Sequence, residues 1–307
     1  MQKRPLLTVL TAVIWLAAAH LACAADLDAI KKRGVLRHLG TPYANFVTGS
    51  GDGLDVELMQ RFAKHLGVRY EYVETDWDHM FGDLTGRQVK DNVTTAVPIR
   101  GDLIANGLTV LPWRQKIVDY SDPTFPSAVW LLARADSKIE PIAATADRQH
   151  DIAATKARIG SGVLLVKKET CLDPVLYGLT GKGLNLRDYT RSKNPNEMVP
   201  AILDHYAETT LLDVPDALMA LEKWPGQIKV IGPISDVQLM AVGFPKSSPE
   251  LRQAFNDFLE SLKRDGTYAS LARKYFPSAF RYFPEFFGAN SASNVNSPPK
   301  PSEIAIR

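Results

Sequence analysis

Only two of the 307 residues are cysteine, which excludes a disulfide-dense scaffold and a zinc site built on cysteine. Neither sign of charge dominates: 36 Lys and Arg stand against 34 Asp and Glu, a formal net charge of +2. A nucleic-acid binder needs a basic excess or patch, and this balance supplies none. Past the N-terminus, no apolar run approaches the roughly 20 residues of a membrane span. The histidines (His20, His38, His65, His79, His150, His205) form no HExxH or comparable pair with acids, so no metal site is expected. Gly49-Ser50-Gly51-Asp52-Gly53 is a turn and not a catalytic GxSxG, because its serine lies beside the first glycine. No GK[ST] follows it to make a phosphate-binding loop. With 45% hydrophobic and 23% charged residues, what remains is a globular composition. The length allows about two domains.

The N-terminus is a different kind of segment. Lys3 and Arg4 precede an apolar stretch from Leu6 to Ala19, and Ala22-Cys23-Ala24 places small residues where a signal peptidase needs them. Residues 1–24 are therefore expected to be a cleaved secretory signal, which makes the protein an exported one. His20 argues against a lipoprotein signal ending at Cys23. Cleavage removes two basic residues and no acid, so the mature chain is electrically balanced and long-range steering by net charge is weak. Cleavage also leaves Cys171 alone, without a partner for an internal disulfide.

Periodicity then organises the chain. Asp26 to Arg33 reads as a short helix stopped by Gly34, and Val35 to Leu39 as a strand. Asp55 to Leu66 carries Val56, Met59, Phe62, Ala63 and Leu66 at helical spacing and stops at Gly67. Val68 to Val73 alternates as a strand does. Strand, helix, strand opens an α/β domain with a largely parallel sheet. Further strands are expected at Asp102–Asn106, Val129–Ala133, Ile228–Ile231 and Leu239–Phe244. A helix follows Ser248 (the expected N-cap), Pro249 and Glu250, with Leu251, Ala254, Phe255, Phe258, Leu259 and Leu262 as its buried stripe. Tyr268 to Tyr275 is a short helix stopped by Pro277. Residues 288–307, rich in Ser, Asn and Pro without an aromatic, read as a disordered tail.

Several segments in order carry a resemblance. They are DLDAIKKRGVLRHLGTPYANF, GDGLDVELMQRFAKHLGVRYEYVETDWDHMFGDLTG, GDLIANGLTVLPWRQKIVDYSDPTF and SSPELRQAFNDFLESLKRDGTYASLARKYFP. Together they resemble the family-3 bacterial extracellular solute-binding proteins, the polar amino acid receptors of ABC importers, across about residues 26–278. The resemblance implies a two-lobe periplasmic-binding-protein fold (type II), α/β in each lobe, with ligand in the cleft between lobes joined by two hinge strands. Lobe 1 would comprise residues 26–130 plus 238–287, and lobe 2 residues 131–237. It implies a monomer that hands a small amino-acid-like or carboxylate solute to a membrane permease, without cofactor, metal or nucleic acid.

The resemblance also assigns ligand contacts. Thr109 and backbone groups near Gly107 would bind the ligand head group, and Arg114 would clamp its carboxylate, a task suited to the planar guanidinium fork. Asp213 would take an α-ammonium; read from the residues alone, it equally suits the cap of a helix starting near Pro215. Tyr43 and Trp77 would form aromatic walls. Two departures stand out. Leu111 replaces a frequent hydroxyl, and Lys168-Glu169-Thr170-Cys171 replaces the usual Gly-Thr turn of the second lobe, leaving Thr170 as its candidate. Gln88 to Arg100 reads as an insertion. Two other functions fit the same fold. One is a cyclohexadienyl dehydratase-like enzyme, with Glu169 as proton donor if burial raises its pKa. The other is a stand-alone sensor or accessory binding protein.

Overall fold

The computed structural model describes residues 26–90, 93–192 and 195–288. The expected signal peptide and all but the first residue of the expected tail lie outside the described residues. The chain opens with the helix Leu27–Arg33, whose first N–H is capped by the Asp26 carboxylate and whose end is Gly34 in the left-handed region (φ 74°). Strand β1 (Val35–Gly40), the helix Leu54–Leu66 and strand β2 (Arg69–Glu74) follow. β1 and β2 are parallel, with Val35 opposite Arg69. The helix buries Val56, Met59, Phe62 and Ala63, the face its spacing predicts.

Strands β3 (Arg87–Lys90) and β4 (Val93–Ala96) pair as an antiparallel hairpin within the expected insertion. Strand β5 (Leu103–Ile104) pairs parallel with β1. It is shorter than the five residues predicted, because the chain turns away after Ala105, whose N–H still donates to the Leu39 carbonyl at 3.2 Å. The Asp102 carboxylate takes Arg33 at 2.5 Å and Arg37 at 2.9 Å, and Gly107 turns at φ 64°. After β6 (Val118–Tyr120), strand β7 (Phe125–Ser127) leaves this first sheet.

The second sheet begins with β8 (Val129–Arg134). It continues through β9 (Leu164–Val166), β10 (Leu186–Asp188), β11 (Thr209–Asp213) and β12 (Ile228–Pro233), in the order β10-β9-β11-β8-β12. The chain then returns along β13 (Gln238–Met240), antiparallel to β7, and enters the first sheet as β14 (Gly243–Pro245). That sheet has the order β2-β1-β5-β14-β6. A single strand was predicted over Leu239–Phe244. The structure splits it, because Met240 pairs with Phe125 in the connecting ribbon while Gly243 pairs with Ile104 and Tyr120 in the sheet. Two α/β lobes joined by the β7–β13 ribbon are the two-lobe type II fold.

The helix Pro249–Arg264 has its expected buried stripe at Leu251, Phe255, Phe258 and Leu259. Ser248 does not cap it with its side chain. Asp26 does so instead, its carboxylate accepting from the Leu251 N–H at 2.9 Å. An anion from a remote helix satisfies the open donors and the positive end of the dipole together.

Past the helix Thr267–Tyr275, two short helices, Ala279–Tyr282 and Pro284–Phe287, were not predicted. They strap the lobes from behind. Tyr282 meets Trp130 of β8 edge-on at 5.4 Å, Phe287 meets Phe125 of β7 at 5.5 Å, and Ser278 donates to Glu222 at 2.6 Å. Aromatic pairs of this kind contribute about 0.5–1.5 kcal/mol each beyond their buried area. A chain ended after Ser278 is therefore expected to melt about 5 °C or more below one ended after Gly288. Equal melting temperatures by calorimetry would show that the strap adds nothing to the fold.

Candidate functional site

Arg114 lies on the short helix Pro112–Gln115, and its side chain is 1% exposed, the largest of the fully buried side chains. Its guanidinium donates to the Thr109 carbonyl at 3.0 Å. Three aromatic rings surround it: Trp113 at 5.1 Å, and Trp77 and Phe81 at 5.7 Å each. Its Nε has no hydrogen-bond partner among the described residues. Burying a cation is costly unless it is paired and hydrogen-bonded. Ring faces and one carbonyl offset part of that cost. A carboxylate accepting from the guanidinium fork would offset far more.

Asp213 ends β11 and is the helix cap that the sequence offered as one of its two roles. One oxygen caps the helix Val214–Lys223, accepting from the Asp216 N–H at 3.3 Å. The other accepts the hydroxyl of Tyr43, which belongs to the first lobe, and lies 3.8 Å from the Cys171 sulfur. Burial raises the Asp213 pKa to about 6, against the lowering effect of these donors. Asp216 is pushed well above the usual carboxylate range by burial and then by Asp213.

Tyr43 stacks on Phe46 at 6.2 Å and meets Trp77 edge-on at 5.4 Å. The Trp77 Nε1 is buried without a partner among the described residues. Tyr43, Trp77, Arg114, Thr109 and Asp213 are thereby one connected group that spans both lobes. Thr109 forms an isolated bridge to Met240, at the end of the ribbon.

Two expected site residues spend their polar groups elsewhere. The Gly107 N–H donates to Asp55 at 2.7 Å, inside lobe 1, where burial raises the Asp55 pKa to about 7. A side chain at Gly107 would meet the Phe46 ring 2.5 Å from its Cβ, so close approach as well as the left-handed backbone requires glycine. The Thr170 hydroxyl donates to the Lys167 carbonyl at 2.8 Å and accepts from the Leu172 N–H at 3.0 Å, which holds the turn. Glu169, in the position where the resemblance has glycine, adopts φ 60° and is exposed.

The turn also delivers Cys171, marked in the sequence only as a thiol without a disulfide partner. Cys171 is buried beside Asp213, and burial followed by the Asp213 charge pushes its pKa up to about 12. Behind it, Tyr177 donates to the Cys171 carbonyl, and Gln238 of β13 donates to Tyr177 at 3.2 Å. Nothing in the spacing of residues 171, 177 and 238 signals this grouping. Among the described residues, no three His, Cys, Asp or Glu are placed to share a metal ion, and no helix is long and apolar enough to cross a membrane.

The sequence profile of the bacterial extracellular solute-binding proteins, family 3, matches residues 39–278. The L-cystine-binding protein TcyJ of Escherichia coli is 27% identical over 255 residues, covering 81% of this chain and 85% of the relative. A membrane-bound lytic murein transglycosylase F of Desulfosudis oleivorans is 24% identical over 286 residues, covering 89% of this chain. The chain spans only 57% of that enzyme's length. Among solved structures, a mutant of ArgBP from T. maritima aligns with TM-score 0.66 at 21% identity, over 82% of this chain and 99% of that one. That likeness concerns the fold.

Proposed function

The chain belongs to the bacterial extracellular solute-binding proteins, family 3, and on that footing we propose that it captures a free amino acid in the periplasm and delivers it to the membrane permease of an ABC-type importer. The observation that carries this reading is one group of side chains holding a buried guanidinium from the first lobe and a buried carboxylate from the second. A zwitterion complements both: its carboxylate suits Arg114 and its ammonium suits Asp213. Tyr43 and Trp77 supply the aromatic walls, and Thr109 adds a hydroxyl. In this reading the protein works as a monomer and without a cofactor. Lobe 1 is residues 26–128 with 238–287 and lobe 2 is residues 129–237, two residues earlier than the resemblance implies because Val129 and Trp130 already pair in the second sheet, and closure about the β7–β13 ribbon encloses the ligand.

A thermal-shift screen against amino acids, organic acids and small amines tests it. A ligand at about 100 times its Kd stabilises the protein by about 2.7 kcal/mol, a rise of several degrees for a chain of this size. Amino acids should give the rise, and amines without a carboxylate should not. A flat response to every amino acid and carboxylate would sink the proposal. The dehydratase alternative loses its candidate acid, because Glu169 stands exposed on the second lobe. Prephenate or arogenate should be returned unchanged.

A further inference from the structure

Cys171 beside Asp213, with Tyr177 and then Gln238 behind it, has no part in holding a zwitterion, yet the polar atoms of the three form a chain. The Tyr177 hydroxyl donates to the Cys171 carbonyl, which has no proton of its own to give. Its proton being so committed, Tyr177 meets Gln238 only as an acceptor, and the Gln238 amide nitrogen donates to it at 3.2 Å. That fixes the orientation of the Gln238 amide. Its carbonyl oxygen is the group left over, buried and without a partner among the described residues. Buried acceptors in folded proteins nearly always find a donor. Gln238 lies on the ribbon between the lobes, opposite Ser127. Tyr177 lies close enough to Asp213 and Arg114 to feel the charge of each.

We propose that Cys171, Tyr177 and Gln238 form an uncharged subsite of this cleft, which takes the ligand side chain and selects a neutral one carrying an N–H or O–H donor. This rests on the amino acid reading above. The Cys171 thiol keeps its proton, since burial and Asp213 hold its pKa at about 12. Tyr177 is pushed up likewise by burial. The charged groups facing the subsite are Asp213 and Arg114, which the two ends of the zwitterion engage, and Asp216, which sits in the first turn of the capped helix. A cationic or anionic side chain entering here meets no free opposite charge and bears the full cost of desolvation. A purely apolar side chain leaves the Gln238 carbonyl unsatisfied. A neutral donor avoids both penalties.

Isothermal titration of the purified protein with matched probes tests this: L-serine against L-alanine, L-glutamine against L-methionine, then L-glutamate and L-arginine. The tightest binder should be a neutral donor, at least about tenfold tighter than its donor-less match and than either charged amino acid. Gln238→Leu should collapse that preference to within about threefold. Gln238→Asn, which withdraws the carbonyl but keeps an amide in the ribbon, should lower it too and serves if leucine prevents folding. Gln238→Glu should favour L-arginine relative to L-glutamine. Tightest binding of arginine or glutamate by the unaltered protein would overturn the subsite while leaving the amino acid reading intact. So would a donor preference that survives both Gln238→Leu and Gln238→Asn. If none of the six probes binds, the subsite is overturned, and the amino acid reading stands or falls with the wider thermal-shift screen.

Discussion

Replacing Arg114 by alanine is expected to weaken amino acid binding at least about 30-fold. Truncating one side of a buried, hydrogen-bonded charge pair typically costs about 2–5 kcal/mol, and each 1.4 kcal/mol is a factor of ten. Arg114→Lys should restore only part of the affinity, because an ammonium lacks the planar fork. Arg114 also bears on folding, because it is 1% exposed and packed among three rings. Alanine would leave a cavity, so Arg114→Met is the sharper variant. Replacing a buried charge with an apolar side chain of similar volume is often neutral or stabilising. The ligand-free Arg114→Met protein should melt no lower than the unaltered one and yet bind poorly. Stability kept and affinity lost would mark a residue held for its ligand. Unchanged affinity in a folded Arg114→Met protein would refute the carboxylate clamp.

The second large effect is expected in pH. Burial raises the Asp213 pKa to about 6 in the ligand-free protein. A raised carboxyl pKa means that the folded state binds the proton more tightly than the unfolded chain does. Asp213 therefore favours the ligand-free fold most below its unfolded pKa, and that contribution is lost as pH rises through about 6. Ligand binding has the opposite slope. An ammonium beside Asp213 favours the carboxylate, so binding below pH 6 must first expel a proton. Affinity for an ammonium-bearing ligand should fall about tenfold between pH 7 and pH 5, a range in which the ligand's own α-groups do not titrate. Asp213→Asn should flatten the profile, weaken amino acids and spare plain carboxylates. Asparagine is also a good N-cap, so the helix after β11 keeps its start. Asp55, with a pKa of about 7 beneath Gly107, also titrates near this range. If the slope survives in Asp213→Asn, Asp55 or another group carries it and Asp213 is not the ammonium site.

The ordered segments were enough to place this chain in its family, and the periodic ones to place their elements. Gly34 and Gly67 end their helices in the left-handed region, as their positions after apolar stripes predict. Arg114 was legible because the string around it, GLTVLPWR, gives a guanidinium a recognisable setting. Asp213 was legible only as an ambiguity between cap and cleft; one oxygen caps the helix, and the other accepts from Tyr43 of the first lobe. Glu169 and Ser248 went the other way: each suited a role by type and local order, and the fold left Glu169 exposed and the Ser248 side chain unused as a cap.

Local spacing determined the elements because helix and strand periods, caps and stops depend on residues a few positions apart. Nothing local determines which faces of two lobes meet. Tyr43 reaches Asp213 across 170 positions, and Asp26 caps a helix 225 positions away at Leu251. Gln238 joins Tyr177 across 61 positions. The first and third of these contacts depend on β7 and β13 pairing to bring the two sheets to one cleft, and the second on the chain's return to the first lobe. The sequence by itself fixed the α/β units and the guanidinium at the edge of the first. The docking of two lobes decided what that guanidinium faces and which buried acceptor is left to read a ligand.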